Sequence, residues 1–277
     1  MQTRYVAAAI QMNSGPDKCM NLEHAVGYIR QAATEGANLI VLPEMFNCMA
    51  PYPCLVDEAE PIPGITSQIL SQVALEEEIY LLAGSIVERS NENDVFYNTS
   101  MLFSPAGKMI ARYRKIHLFD VHLPGQRATD ESHWIKAGSD IAVVDTACGR
   151  MGLSVCYDLR FPELYRQLVG REAEVFLVPA AFRATTGRDH WEVLLRARAI
   201  ENQAYIIAAN QCGTHDRQIV TYGHSMIIDA WGNILTSADS KESVIFAEID
   251  LKTLHTVRGQ LPALKHRRDS SYTNRKS

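Results

Sequence analysis

The sequence predicts a mixed α/β protein, with sheets assembled inside and helices packed outside. Three observations carry this. Strand-like and helix-like segments alternate early in the chain, hairpins are added later, and no Gly/Ser/Pro-rich linker splits the 277 residues. No internal period of about 20 to 50 residues marks a repeat protein. The chain therefore reads as a single domain over residues 1–277, with a core over about 4–262 and a tail over 263–277.

The elements follow in order. Residues 5–10 are a short apolar run, read as a buried strand. Leu22, Ala25, Val26, Ile29, Ala32 and Ala33 recur at helical spacing, and Gly36 stops that helix. Residues 38–42 form the next strand, ended by Pro43. Residues 64–78 read as a helix with Ile65, Ile69 and Val73 on one face, and 80–87 as a strand. Residues 98–103 and 109–114 flank Ser104-Pro105-Ala106-Gly107 and predict a hairpin. The stretch 117–138 has no period and reads as a long, functional loop.

Strands are expected again at 141–145, 150–155 and 175–178, with a helix over 162–169 that has Pro at its first turn. Asp189 is expected to cap a helix running to about Gln203. Strands over 205–209, 223–229, 234–236 and 244–249 complete the series. The basic, polar tail from His266 is expected to be poorly ordered or docked on a partner subunit.

Bulk properties exclude some functions. A net charge of −5 gives no general attraction to nucleic acid or anionic membranes. No apolar run reaches the roughly 20 residues that span a bilayer. Residues 1–12 read as a strand rather than a signal peptide, which predicts a cytoplasmic protein. The six cysteines form no Cys-x-x-Cys pair and no zinc-like pattern with histidine, so they read as free thiols, mostly buried. No metal or cofactor is expected.

Three ionisable residues share one local setting. Glu44, Lys115 and Cys156 each stand just past a predicted strand. Ligands collect beyond one edge of a sheet, so these groups are expected to converge. A carboxylate can take a thiol's proton during attack on a carbonyl, and an ammonium can steady the oxyanion that results. A buried carboxylate pushed towards neutrality would then return the proton to the leaving amine. Taken singly, each has a plainer reading: a solvated loop acid, a basic turn and a packed cysteine.

The stretches around them resemble the three signature stretches of the nitrilase superfamily. They are Leu42-Pro43-Glu44, Tyr113-Arg114-Lys115-Ile116-His117-Leu118-Phe119, and Cys156-Tyr157-Asp158-Leu159-Arg160-Phe161-Pro162-Glu163 within the third. The resemblance runs from the first strand to Gln260-Leu261-Pro262. It implies a four-layer α-β-β-α sandwich and a Glu44–Lys115–Cys156 triad. It further implies an acidic residue that positions Lys115, best matched by Glu131 with Asp130 as rival, and an oxyanion-binding backbone N–H at Tyr157. It also implies subunit pairing into a homodimer or larger homo-oligomer.

Further stretches, among them Leu195-Arg196-Ala197-Arg198-Ala199-Ile200-Glu201, Gln211-Cys212-Gly213-Thr214-His215 and His266-Arg267-Arg268, resemble the Nit subgroup. Within it they lean towards the deaminated glutathione amidase branch, with the ω-amidase branch as neighbour. The implied substrate is a small terminal amide bearing carboxylates, with Arg183, Thr186 and Arg188 as candidate binding residues. A nitrilase is a further alternative, and a non-catalytic interaction protein on the same fold is the alternative from another class. Trp191, Leu194, Leu195 and Arg198 share one helical face and read as packing, with Arg198 paired to a carboxylate and Glu192 paired to Arg196.

Overall fold

The computed structural model describes residues 3–92, 94–122, 129–216, 219–268 and 271. The chain opens with β1 (Arg4–Gln11), α1 (Lys18–Thr34) and β2 (Leu39–Val41). Helices α2 (Tyr52–Asp57) and α3 (Ile65–Glu76) precede β3 (Tyr80–Leu82), β4 (Ile86–Arg89), β5 (Phe96–Phe103) and β6 (Met109–Arg114). A short ribbon, β7 (Asp120–Val121) and β8 (Thr129–Asp130), leads to β9 (Val143–Thr146) and β10 (Gly149–Leu153). Then come α4 (Pro162–Gly170), β11 (Val175–Ala180), α5 (Ala184–Asn202) and β12 (Tyr205–Asn210). A second ribbon, β13 (Cys212–Asp216) and β14 (Ile219–Tyr222), is followed by β15 (Met226–Ile228), β16 (Ile234–Ser237), β17 (Ser243–Asp250) and α6 (Leu251–Gln260).

Two sheets form the interior. The first runs β17-β1-β2-β3-β5-β4, with β6 also on β5; the second runs β16-β15-β12-β11-β10-β9. Each has three parallel neighbours at its centre: β1, β2 and β3 in one, β10, β11 and β12 in the other. Side chains alternate across β1 and β2. Ala7, Ala9, Leu39 and Val41 join the core shared with the second sheet, while Ala8, Ile10, Ile40 and Leu42 pack with Leu22, Ala25 and Ile29 of α1 and Leu70 and Val73 of α3. On the far side α4 lies on β10 and α5 on β12 and β15. The result is the expected helix–sheet–sheet–helix layering. β1 also approaches β12 of the second sheet, and Ala7 and Ala9, on the face of β1 that joins the shared core, keep side chains small there.

Several local expectations change. The strand read over 80–87 is broken in two at Gly84, which adopts φ +34. A Cβ there would stand 1.9 Å from the carbonyl oxygen of Pro43. The break thus lets the turn carrying Glu44 lie directly against this strand. Ile65 and Ile69 are exposed; α3 buries Thr66, Leu70, Val73 and Ala74 instead. Its first turn is fixed by Glu60, whose Oε2 accepts the Thr66 N–H at 2.8 Å and so sets which face turns inward. Asp189 caps nothing: α5 begins five residues earlier, at Ala184. Weak helix formers in that first turn are overridden by packing, because Gly187 sits under the Tyr222 ring where a Cβ would come within 2.5 Å. The helix end is as read, with Gln203 left-handed at φ +47. The 117–138 stretch contains the β7–β8 ribbon and a 3-10 turn, Glu131–His133. Residues 123–128 of that stretch, and the tail beyond 268 apart from Ser271, lie outside the described residues.

Candidate active site

The three strand ends meet. Glu44 follows β2, is 4 % exposed, and its carboxylate accepts three hydrogen bonds. Lys115 Nζ (3.0 Å) and Asn98 Nδ2 (2.9 Å) donate to its Oε1, the Ala181 N–H donates to its Oε2 at 2.8 Å, and the Cys156 thiol lies near enough to act on the same carboxylate. Lys115 follows β6, with its backbone N–H donating to the Asn98 carbonyl at 2.8 Å. Its ammonium also reaches Glu131 Oε2 at 2.8 Å. Glu131 is fully buried at the start of the 3-10 turn, where the Phe119 N–H holds Oε2 at 2.7 Å. The rival Asp130 is exposed and binds His122 Nε2 at 2.8 Å. It lines the cavity, but of the two acids only Glu131 pairs with Lys115.

Cys156 stands at a sharp elbow after β10. Val155 is extended, Cys156 turns to φ +46, and a 3-10 turn, Cys156–Arg160, follows. A left-handed non-glycine residue is strained by about 1 kcal/mol or more and needs support from its surroundings. Asp158 gives that support. Its fully buried carboxylate accepts the Val155 N–H at 2.8 Å, the Tyr113 hydroxyl at 2.7 Å and the His117 N–H at 3.1 Å. The His117 ring, 2.7 Å from Asp158 through Nδ1, stacks on Phe161 at 3.7 Å. From α5, Arg198 Nε closes the turn by donating to the Leu159 carbonyl at 3.1 Å. Arg198 also pairs with Glu201 at 3.0 Å, and Arg196 with Glu192 at 3.3 Å, as expected.

Electrostatics set the resting state. Burial pushes the Glu44 carboxyl up, but Lys115 and the hydrogen bonds from Cys156, Lys115 and Asn98 outweigh it, so the group is held below its ordinary value. The expectation of an acid pushed towards neutrality is thus corrected. Burial opposes charge on Lys115, yet Glu131 and Glu44 hold its ammonium well above the usual range. Burial and the Glu44 charge push the Cys156 thiol well up, against Lys115. These shifts all favour thiol, carboxylate and ammonium, with the thiol close to the carboxylate. All six cysteines are free, and burial pushes Cys48 and Cys148 to about 11 and Cys212 to about 12.

A cavity of about 640 Å³ opens over these groups. Glu44, Lys115, Cys156, Tyr157, Arg183 and Thr186 line it. Arg188 does not: it is exposed on α5, two residues beyond Thr186 and so roughly 200° around the helix. The arginine that sequence reasoning passed over is Arg160, which lines the cavity with its guanidinium 5.0 Å over the Phe182 ring. Asn98, Asp158 and the Ala181 N–H were also passed over. Asp158 and Arg160 lie inside the stretch already quoted around Cys156. The predicted hairpin holds a further signal, since its register sets Asn98 opposite Lys115.

Known proteins share both the sequence and this arrangement of layers. The chain is 41 % identical over 266 residues to the omega-amidase NIT2 of Mus musculus, covering 96 % of each chain. It is 44 % identical over 266 residues to the deaminated glutathione amidase of a Synechocystis strain, covering 95 % of this chain and 98 % of that one. The crystal structure of Saccharomyces cerevisiae Nit3, a member of branch 10 of the nitrilase superfamily, superposes with a TM-score of 0.87 at 34 % identity, over 96 % of this chain and 97 % of that one. Residues 6–259, from β1 to α6, match the carbon-nitrogen hydrolase family. With its three signature stretches meeting at one cavity, the chain belongs to the carbon-nitrogen hydrolases of the nitrilase superfamily.

Proposed function

We propose that this enzyme is an amidase that cleaves a C–N bond through a thioester on Cys156. One observation carries the reading: a thiol that shares one cavity wall with a carboxylate itself paired with a buried ammonium. Cys156 Sγ attacks the carbonyl carbon while Glu44 takes the thiol proton. Because the free thiolate is disfavoured, transfer and attack are coupled. Lys115 and the Tyr157 N–H hold the tetrahedral oxyanion. Collapse expels the amine, which receives its proton from Glu44. Water then attacks the thioester, giving a proton to Glu44, and the departing thiolate regains it. Glu131 holds Lys115 in place throughout.

The substrate we favour is an amide whose acyl part carries a carboxylate, with deaminated glutathione first and the ω-amidase substrates α-ketoglutaramate and α-ketosuccinamate second. Relatives bearing both names support it at similar identity. Arg160 and Arg183 line the cavity and supply positive charge, and Thr186 adds a hydroxyl. Replacing Cys156 by Ala is expected to leave the fold intact and abolish amine release from all three amides. Full turnover by that variant would reject the scheme. A ratio of kcat/KM above ten for α-ketoglutaramate would move the assignment to ω-amidase, and turnover of nitriles alone would make the enzyme a nitrilase. A purely non-catalytic partner protein predicts no turnover with any of them.

The same reading makes the enzyme a cytoplasmic homodimer or larger homo-oligomer. Val193 and Ile200 on α5, and Trp231 in the β15–β16 turn, leave apolar side chains more than half exposed, which supports such pairing. Sedimentation at monomer mass over a range of micromolar concentrations would refute it.

A further inference from the structure

Asn98 lies on β5 beside the end of β6. Its side chain is buried, and its Nδ2 donates to Glu44 Oε1 at 2.9 Å and to Glu131 Oε1 at 3.2 Å. Lys115 donates to the same two residues at 3.0 and 2.8 Å. Two acids therefore share two donors, one charged and one neutral. Asn98 Oδ1 is buried without a protein partner among the described residues. A buried amide kept for packing alone would have both ends satisfied. Here the acceptor end goes unserved so that the donor end can face both acids.

We propose that Asn98 is a positioning residue that holds Glu44 and Glu131 apart as two separate acceptors, leaving Glu44 open to the thiol. The proposal rests on Glu44 being the base. Two carboxylates around one ammonium carry net negative charge. Without a donor between them, neighbouring acids lower their repulsion by sharing a proton. A Glu44 that holds such a proton cannot take the one on Cys156. The groups facing Glu44 are Lys115 from the end of β6, Glu131 from the 3-10 turn, Cys156 from the elbow, and the Tyr52 phenol of α2. Asn98 is the neutral member of this set, and its hydrogen bond is among those that hold Glu44 low against burial.

The test replaces Asn98 by Leu, which keeps the branched outline and removes both N–H donors. Iodoacetamide alkylation of Cys156 is followed by mass spectrometry across pH, beside kcat/KM for an amide. Alkylation needs no substrate, so the test stands even if the amidase assignment fails. The acid limb of both profiles is expected to move up by about one pH unit in Asn98→Leu, with the neutral-pH rate within about twofold of wild type because Glu44 stays ionised there. Should Leu prevent folding, Asn98→Ser, too short to span both acids, gives the same readout. An acid limb that stays at the wild-type position in a folded variant, whatever its rate, overturns the proposal.

Discussion

Glu44 and Cys156 each stand just beyond a central parallel strand, β2 in one sheet and β10 in the other, and each is followed or occupied by a left-handed residue, Met45 at φ +53 and Cys156 at φ +46. The two ends are held by different means. Around Glu44 the donors converge on the functional carboxylate itself, two of them from side chains that are charged or polar. Around Cys156 the support goes mostly to the backbone on either side, through Asp158 and Arg198, while the sulfur faces Glu44, Lys115 and the Ala181 N–H. A base must keep its charge, so its own atoms are engaged. The proposed nucleophile must stay able to form a bond, so most of its fixing is done through the chain around it.

The sharpest way to break this comparison is at Glu44. Glu44→Gln keeps the shape and removes the proton acceptor, and is expected to lower kcat by about 10³-fold or more, within the range for general acid–base catalysis. Steady-state kinetics on the folded variant checks it, and a loss below tenfold would mean that the charge is dispensable. Next comes the backbone side. Asp158→Asn keeps the size but weakens the hold on the Val155 and His117 N–H groups. A fall of about 10- to 100-fold in kcat is expected with a lowered Tm, since a misplaced nucleophile is costly even when its chemistry is intact. Unchanged kcat beside a lowered Tm would show that the elbow keeps its shape without Asp158.

Gly84→Ala tests the floor beneath Glu44. The added Cβ meets the Pro43 carbonyl, so about 2–3 kcal/mol of stability should be lost, readable by chemical denaturation. The smallest expected effect is on pH dependence, and here the sign follows from the shifts. Glu44 is held below its ordinary value, so its charge contributes stability above that value and loses it only as pH falls through the lowered one. Lys115 is raised, so its contribution persists until pH climbs past its ordinary range. The thiol is raised as well. Between about pH 5 and 8, kcat/KM for an uncharged amide should therefore stay within about twofold. A rate that climbs tenfold per pH unit there would mean that the thiol ionises before it attacks.

Much of this was legible from the chain. The strand ends at Pro43, Arg114 and Val155 could be placed by apolar runs and by proline, and the groups just past them follow by counting. The choice of Glu131 over Asp130 could not be made that way, because adjacent residues in a loop carry no periodic signal. It is settled by the 3-10 turn, which sends one side chain to Lys115 and the other outward. Arg188 stays outside the cavity lining for a related reason: proximity in sequence to Thr186 is not proximity on a helix. Which face of α3 is covered is not legible from Ile65, Ile69 and Val73 alone, because the helix has apolar residues on more than one face and its tertiary anchor at Glu60 decides between them.

The bond from the Ala181 N–H to Glu44 Oε2 has one more consequence. Glu44 is delivered by the first sheet, while Ala181 lies just past β11 of the second, so the proposed general base is riveted across the interface of the two layers. Any slippage between them would aim the base wrongly before either layer lost its own ladders. Turnover is then a gauge of how the whole sandwich is assembled, and under mild denaturant it should fade ahead of the backbone signal that reports the sheets themselves.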